Sequence, residues 1–176
     1  ATGTGDVSAD AGDAVHVHAA VTATGGDITL VGRGDDSLGA VVTGTTAGIH
    51  TLAAGNLTAG GDITVTATTA GIWTPGATNW TAGGNITASA QTYVLTDALT
   101  ATDGMVTVTA ETSDIIQSGA VNADSAMFDA GDTVHVHNSV TTDVGDIVII
   151  GRGDDTDTGD GNTVDTGTTS GVHTNA

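Results

Sequence analysis

Val21-Thr22-Ala23-Thr24-Gly25-Gly26-Asp27-Ile28-Thr29-Leu30 is the stretch whose reading decides the fold. A short aliphatic-Thr-Ala run meets a Gly-Gly-Asp corner, and beyond it Ile28 and Leu30 flank Thr29. Alternation with period two places aliphatics on one face of a strand and hydroxyls on the other. The Gly-Asp pair offers a residue tolerant of positive φ and a side chain able to bond the turn backbone. Near copies run from Leu57 to Val65 (Leu57-Thr58-Ala59-Gly60-Gly61-Asp62-Ile63-Thr64-Val65) and from Trp80 to Ala88 (Trp80-Thr81-Ala82-Gly83-Gly84-Asn85-Ile86-Thr87-Ala88). Looser copies begin at Leu99, with Val106-Thr107-Val108, and at Val140, with Gly145-Asp146-Ile147-Val148-Ile149.

A longer period contains these. Asp10-Ala11-Gly12-Asp13-Ala14-Val15-His16-Val17-His18 returns as Asp129-Ala130-Gly131-Asp132-Thr133-Val134-His135-Val136-His137, an offset of 119 (13 to 132). Gly32-Arg33-Gly34-Asp35-Asp36 returns as Gly151-Arg152-Gly153-Asp154-Asp155 at the same offset. Gly44 to His50 returns as Gly167 to His173 at an offset of 123, so one loop gained four residues while its flanks kept register. The long repeat adds short-repeat starts at Thr2 and Val121, giving seven starts at 2, 21, 57, 80, 99, 121 and 140. The long repeat is therefore five short ones. A unit of about 20 residues with two or three short strands is one coil of a solenoid, too short for a propeller blade or an immunoglobulin-like domain. The expected fold is all-β: a parallel β-helix (β-solenoid) of about seven coils, right-handed, in one segment spanning 1–176. Loops 32–48 and 151–171 are expected to protrude. Coils stacked about 4.8 Å apart make a rod of roughly 34 Å, and the segment reads as part of a longer repeat array.

Composition agrees. Aromatics are 2% of the chain, so the core has to be thin and filled with Val, Ile, Leu and Ala. Gly numbers 27 and Pro one, and no window carries a helical stripe of large apolar residues. Against 21 acids stand Arg33 and Arg152 alone, for a net charge of −19, which disfavours nucleic acid and anionic membrane as partners. Cys is absent, which removes disulfides and thiolate chemistry, and no apolar run is long enough to insert in a membrane.

The Gly-Asp-Ile-Thr-Val-Thr-Ala style of coil, as at Gly61 to Ala67, resembles filamentous haemagglutinin and the giant bacterial surface proteins built of β-strand repeats. The resemblance covers nearly the whole chain. It implies a secreted, right-handed parallel β-helix used in adhesion, biofilm matrix or cell-surface fibres. It carries over no catalytic residue, because the shared motif is structural.

Three groups of residues carry candidate chemistry. In the expanded loop Asp154, Asp155, Asp157, Asp160, Asn162 and Asp165 bring oxygen ligands around Gly159 and Gly161. Alternating carboxylates with a Gly for a sharp turn suit Ca²⁺, although Gly159 breaks the usual spacing; the competing reading is a solvated acidic loop. Arg33-Gly34-Asp35 and Arg152-Gly153-Asp154 form the tripeptide read by animal integrins. The competing reading there has each Arg neutralising the Asp pair beside it. Third, with Val15 and Val17 inward, His16 and His18 share the outer face and His50 falls over His16; His135, His137 and His173 repeat the pattern. Such a ladder could bind Zn²⁺ or Cu²⁺ or register pH, or serve as exposed strand positions or filament contacts. Trp80 aligns with Leu57 and Leu99 as core, whereas Trp73 faces outward as a candidate interface residue.

The sequence thus points to an extracellular or cell-surface structural fibre that performs no catalysis and whose partner is itself, stacked end to end or side by side. Alternatives are an adhesin stalk with a cell-surface or polysaccharide ligand, a calcium-dependent binding module, a polysaccharide-active β-helix enzyme and an ice-binding protein. For the last, Thr64-Thr66 and Thr107-Thr109 flank Thr87 and Ser89, with Leu30-Val31 and Ile149-Ile150 expected to break the row.

Overall fold

The computed structural model describes residues 2–34, 47–52, 54–76, 78–153 and 172–174, and side chains within 4–153 of these. The described residues form strands and turns, without helix. Three strands recur per coil, and numbering them in chain order assigns every third strand to the same sheet. The first sheet holds β1 (Thr2–Gly3), β4 (Val21–Ala23), β7 (Leu57–Ala59), β10 (Asn79–Ala82), β13 (Ala98–Ala101), β16 (Val121–Ala123) and β19 (Val140–Thr142). The second holds β2 (Val7–Ala11), β5 (Ile28–Gly32), β8 (Ile63–Ala67), β11 (Ile86–Ala90), β14 (Met105–Ala110), β17 (Ser125–Ala130) and β20 (Ile147–Gly151). The third holds β3 (Val15–Val17), β6 (Ala47–Thr51), β9 (Gly71–Trp73), β12 (Val94–Thr96), β15 (Ile115–Gln117), β18 (Val134–Val136) and β21 (Val172–Thr174). All pairings are parallel, so each coil hydrogen-bonds the coils before and after it. This is a β-solenoid, and the seven starts read from the sequence fall in the seven strands of the first sheet.

Packing follows the alternation. Val65 lies over Leu30 and Ala88 over Val65 in register, all buried, while Thr64, Thr66, Thr87 and Ser89 face outward. Trp80 is 1% exposed and sits between Leu57 and Leu99. Burying each such aliphatic contributes about 1.5–3 kcal/mol before chain entropy is counted. The corner between the first two sheets is narrow. A Cβ on Gly83 would collide with the Gly60 carbonyl oxygen, and one on Gly60 with that of Thr24. Close approach between coils, rather than left-handed backbone, therefore requires these glycines. Among the described residues the one Gly with positive φ is Gly76, at 65°.

Two sequence expectations change. The core is not wholly aliphatic, because Thr74, Thr96 and Gln117 are buried along the third sheet. Their polar atoms are spent on one another and on backbone: Thr96 Oγ1 donates to Gln117 Oε1 (2.6 Å), Thr74 Oγ1 to the Leu95 carbonyl (2.9 Å), and Gln117 Nε2 to the carbonyls of Gly119 (3.0 Å) and Asp97. Gln117 thereby ties its own turn, at Gly119, to the equivalent turn of the preceding coil, at Asp97. The second change concerns outward rows. Leu30 is buried, so the outward pair of β5 is Thr29 and Val31, aligned with Thr64 and Thr66; Ile149 likewise lies over Phe128, leaving Val148 and Ile150 outward. At the ends of the expanded loops, Gly32 and Gly151 close strands and Ala47 and Gly48 open one.

Candidate functional site

Asp6, Asp27, Asp62 and Asn85 occupy the same corner in four successive coils. Asp6 Oδ1 accepts the Asp27 amide (3.0 Å), Asp27 Oδ1 the Asp62 amide (2.8 Å), Asp62 Oδ1 the Asn85 amide (2.7 Å) and Asn85 Oδ1 the Met105 amide (2.9 Å). The sequence signals these residues by their place before each second strand. What it does not show is that the side chain reaches the next coil instead of its own turn. The ladder satisfies corner amides that the parallel sheets leave over, which makes it a stacking device built of carboxylates.

Each of the two arginines is engaged by an aspartate one coil back. Arg33 Nε and Nη2 donate to Asp10 Oδ1 and Oδ2, both at 2.7 Å, a bidentate pair between consecutive coils. Arg152 repeats it with Asp129, Nη2 to Oδ2 at 3.0 Å and Nη1 to Oδ1. Each pair joins the arginine to an Asp of the preceding coil, 23 residues back. Hydrogen bonding to Arg33 holds the Asp10 carboxyl below its ordinary 3.8. Gly34 and Gly153 follow these arginines in the described fold; Asp35, Asp36 and Asp154 lie outside the described residues. The candidate calcium ligands Asp154, Asp155, Asp157, Asp160, Asn162 and Asp165 lie there too.

The histidines run along the third sheet. His50 stands in register with His16, ring centroids 5.5 Å apart and nearly edge-on, and His18 lies 6.1 Å from His16. Trp73 continues the column, 4.5 Å from His50. In the second copy His135 and His137 lie 6.2 Å apart, and the backbone of His173 is in register with His135. His50 and His135 are buried although both point away from the core. Burial pushes the His137 imidazole below its ordinary 6.5, and His135 beside it adds to the effect. Among the described residues no group of three or more His, Cys, Asp or Glu is arranged to hold a metal ion. The His16 column is a stack of rings that runs from coil to coil, His16 to His50 to Trp73.

No protein family, curated protein or solved structure matches this chain. The functional reading rests on the geometry above.

Proposed function

We propose that this chain is a structural segment of an extracellular fibre, at a cell surface or in a biofilm matrix, which performs no catalysis and whose partner is another copy of itself. The observation that carries the proposal is the set of three parallel sheets, each seven strands deep and in register along one axis. Each coil spends its backbone donors and acceptors on its neighbours, so a rod of this kind lengthens by adding coils without changing its cross-section. The Asp6 to Asn85 corner and the Asp10–Arg33 and Asp129–Arg152 pairs fit the same role, since each joins one coil to the next. Carboxylates committed to backbone amides are poorly placed to act as acids or bases, which supports a scaffold over a polysaccharide-active enzyme. The net charge of −19 keeps such rods apart from polyanions and from one another except where uncharged faces meet.

An adhesin stalk or a calcium-dependent module is the second reading, with the acidic stretch from Asp154 to Asp165 as its ligand loop. The engagement of Arg33 by Asp10 argues against an integrin-type version of it.

Electron microscopy and fibre diffraction of the purified protein, with and without EDTA, test both readings. Filaments with an axial repeat of about 4.8 Å support the fibre, and their loss in EDTA would place Ca²⁺ in the assembly. Dispersed particles at every concentration would refute self-assembly, and heat released on Ca²⁺ titration of those particles would favour the binding module.

A further inference from the structure

We propose that the outward face of the second sheet binds the surface of growing ice, an activity that goes beyond the fibre role and does not depend on it. Thr29, Thr64, Thr87 and Thr107 stand in line on β5, β8, β11 and β14. Two residues further along the same strands, Val31, Thr66, Ser89 and Thr109 form a second line. The sequence reading had Leu30-Val31 breaking this row, although its own alternation put Leu30 inward. The observed register extends it by a coil instead, because Thr29 and Val31 are the outward pair.

Spacing points to the occupant. Parallel strands lie about 4.8 Å apart and alternate residues about 6.6 Å apart along a strand. The face is therefore a near-rectangular mesh of hydroxyl and methyl groups over four coils, a two-dimensional periodic array of the kind that an ordered water lattice, itself periodic, can meet at many points at once. Thr and Val are stiff at χ1, and neighbours in line crowd each residue further. The array consequently loses little side-chain entropy when a lattice settles on it. Val31 keeps the branched shape and the methyl groups while lacking one hydroxyl.

Chemistry points the same way. Among the described residues none of these hydroxyls is spent on an internal hydrogen bond. Those of Thr68, Thr74 and Thr112, off this face, each bond a carbonyl of a neighbouring coil. In a chain with 21 acids the eight positions carry no charge, so no tightly held hydration shell competes with the lattice. Asp10 and Asp129 bound the second line on either side, each engaged by an arginine. The face has no aromatic ring on which a sugar could stack, which disfavours a polysaccharide. A second copy of the chain is disfavoured by size: four strands span about 14 Å, and a stable protein interface needs about 800 Å² from each partner with an apolar centre.

The test is ice growth in a nanolitre osmometer, with a recrystallisation assay alongside, on the wild-type chain and two variants. Thr87→Tyr puts a ring at the centre of the mesh, and Asn122→Tyr puts one at an exposed position of the first sheet. Circular dichroism establishes folding of each. The expected result is faceted crystals and measurable hysteresis for wild type and Asn122→Tyr, and a fall to the buffer baseline for Thr87→Tyr. Should Thr87→Tyr not fold, Thr87→Lys replaces it, with the same loss expected. Folded wild-type protein that neither shapes ice nor slows recrystallisation overturns the proposal. Full activity in a folded Thr87 variant overturns its assignment to this face.

Discussion

Replacing Trp80 separates two opposing effects in the core of the solenoid. Its indole is 1% exposed and lies between Leu57 and Leu99, and its Nε1–H has no hydrogen-bond partner among the described residues. Trp80→Leu extends the leucine file and removes that N–H. Truncation takes away roughly 60 Å³, which at about 24 cal/mol per Å³ costs about 1.5 kcal/mol if the walls stay in place. Lost apolar transfer adds about 1 kcal/mol. Relief of a buried, unsatisfied donor returns about 1–3 kcal/mol. Trp80→Leu should therefore fall between a gain of about 0.5 and a cost of about 1.5 kcal/mol, whereas Trp80→Ala should cost about 3–5 kcal/mol. Urea unfolding followed by far-ultraviolet circular dichroism measures both. Since the chain has two tryptophans, fluorescence of either variant reports Trp73 alone. Coincidence of the two probes shows whether the coils melt together, as nearest-neighbour coupling between stacked repeats requires. If Trp80→Leu costs about 2.5 kcal/mol, the full cavity and transfer loss, the unsatisfied N–H contributes nothing and the reasoning fails.

Three further outcomes follow from the corners and the titrating groups. Asp62→Ala should cost about 1 kcal/mol by leaving the Asn85 amide without its acceptor, while Asp62→Asn, which keeps an oxygen there, should be near neutral; urea midpoints distinguish them. His137 is held below 6.5 by burial, so the unfolded chain binds its proton more readily than the folded one. Stability should accordingly fall as the pH drops from about 6.5 through the lowered folded value, and His137→Gln should flatten that slope in urea midpoints taken across the window. Tyr93 is the single tyrosine, and burial pushes its phenol above the ordinary 10.0. The folded state keeps this proton where the unfolded chain loses it, so stability should decline as pH rises above 10.0. Ultraviolet absorbance should show phenolate appearing only as the circular dichroism signal is lost.

How much of this was legible in the sequence depends on whether a signal is local. Strand starts at Val21, Leu57, Trp80 and Leu99 could be read because small corner residues and aliphatic-Thr alternation recur in every coil. The burial of Trp80 followed from its alignment with two leucines. The role of the corner carboxylates did not follow, because Asp27 and Asp62 look like turn residues until the neighbouring coil is placed beside them. The arginine pairs were hidden for the same reason: Asp10 lies 23 residues from Arg33, and only a full circuit of the solenoid brings them together. Gln117 and Thr96 gave no core signal at all, since polar residues are buried only where the fold supplies their partners.

By itself the sequence determined the architecture. Repeated short strands with Gly-rich corners and almost no aromatic residues leave stacking as the way to bury each thin face. The tertiary structure decided which residues neighbour one another along the axis, and hence everything that could serve as a site. In a solenoid the contacts of a side chain lie one circuit away, at a distance in sequence that varies with every corner and loop. A one-residue change of register exchanges the inner and outer faces of a strand; alternation alone put Leu30 inward and Thr29 outward, but that Thr29 stands beside Thr64 and Val31 beside Thr66 was settled only when the coils were laid one upon another.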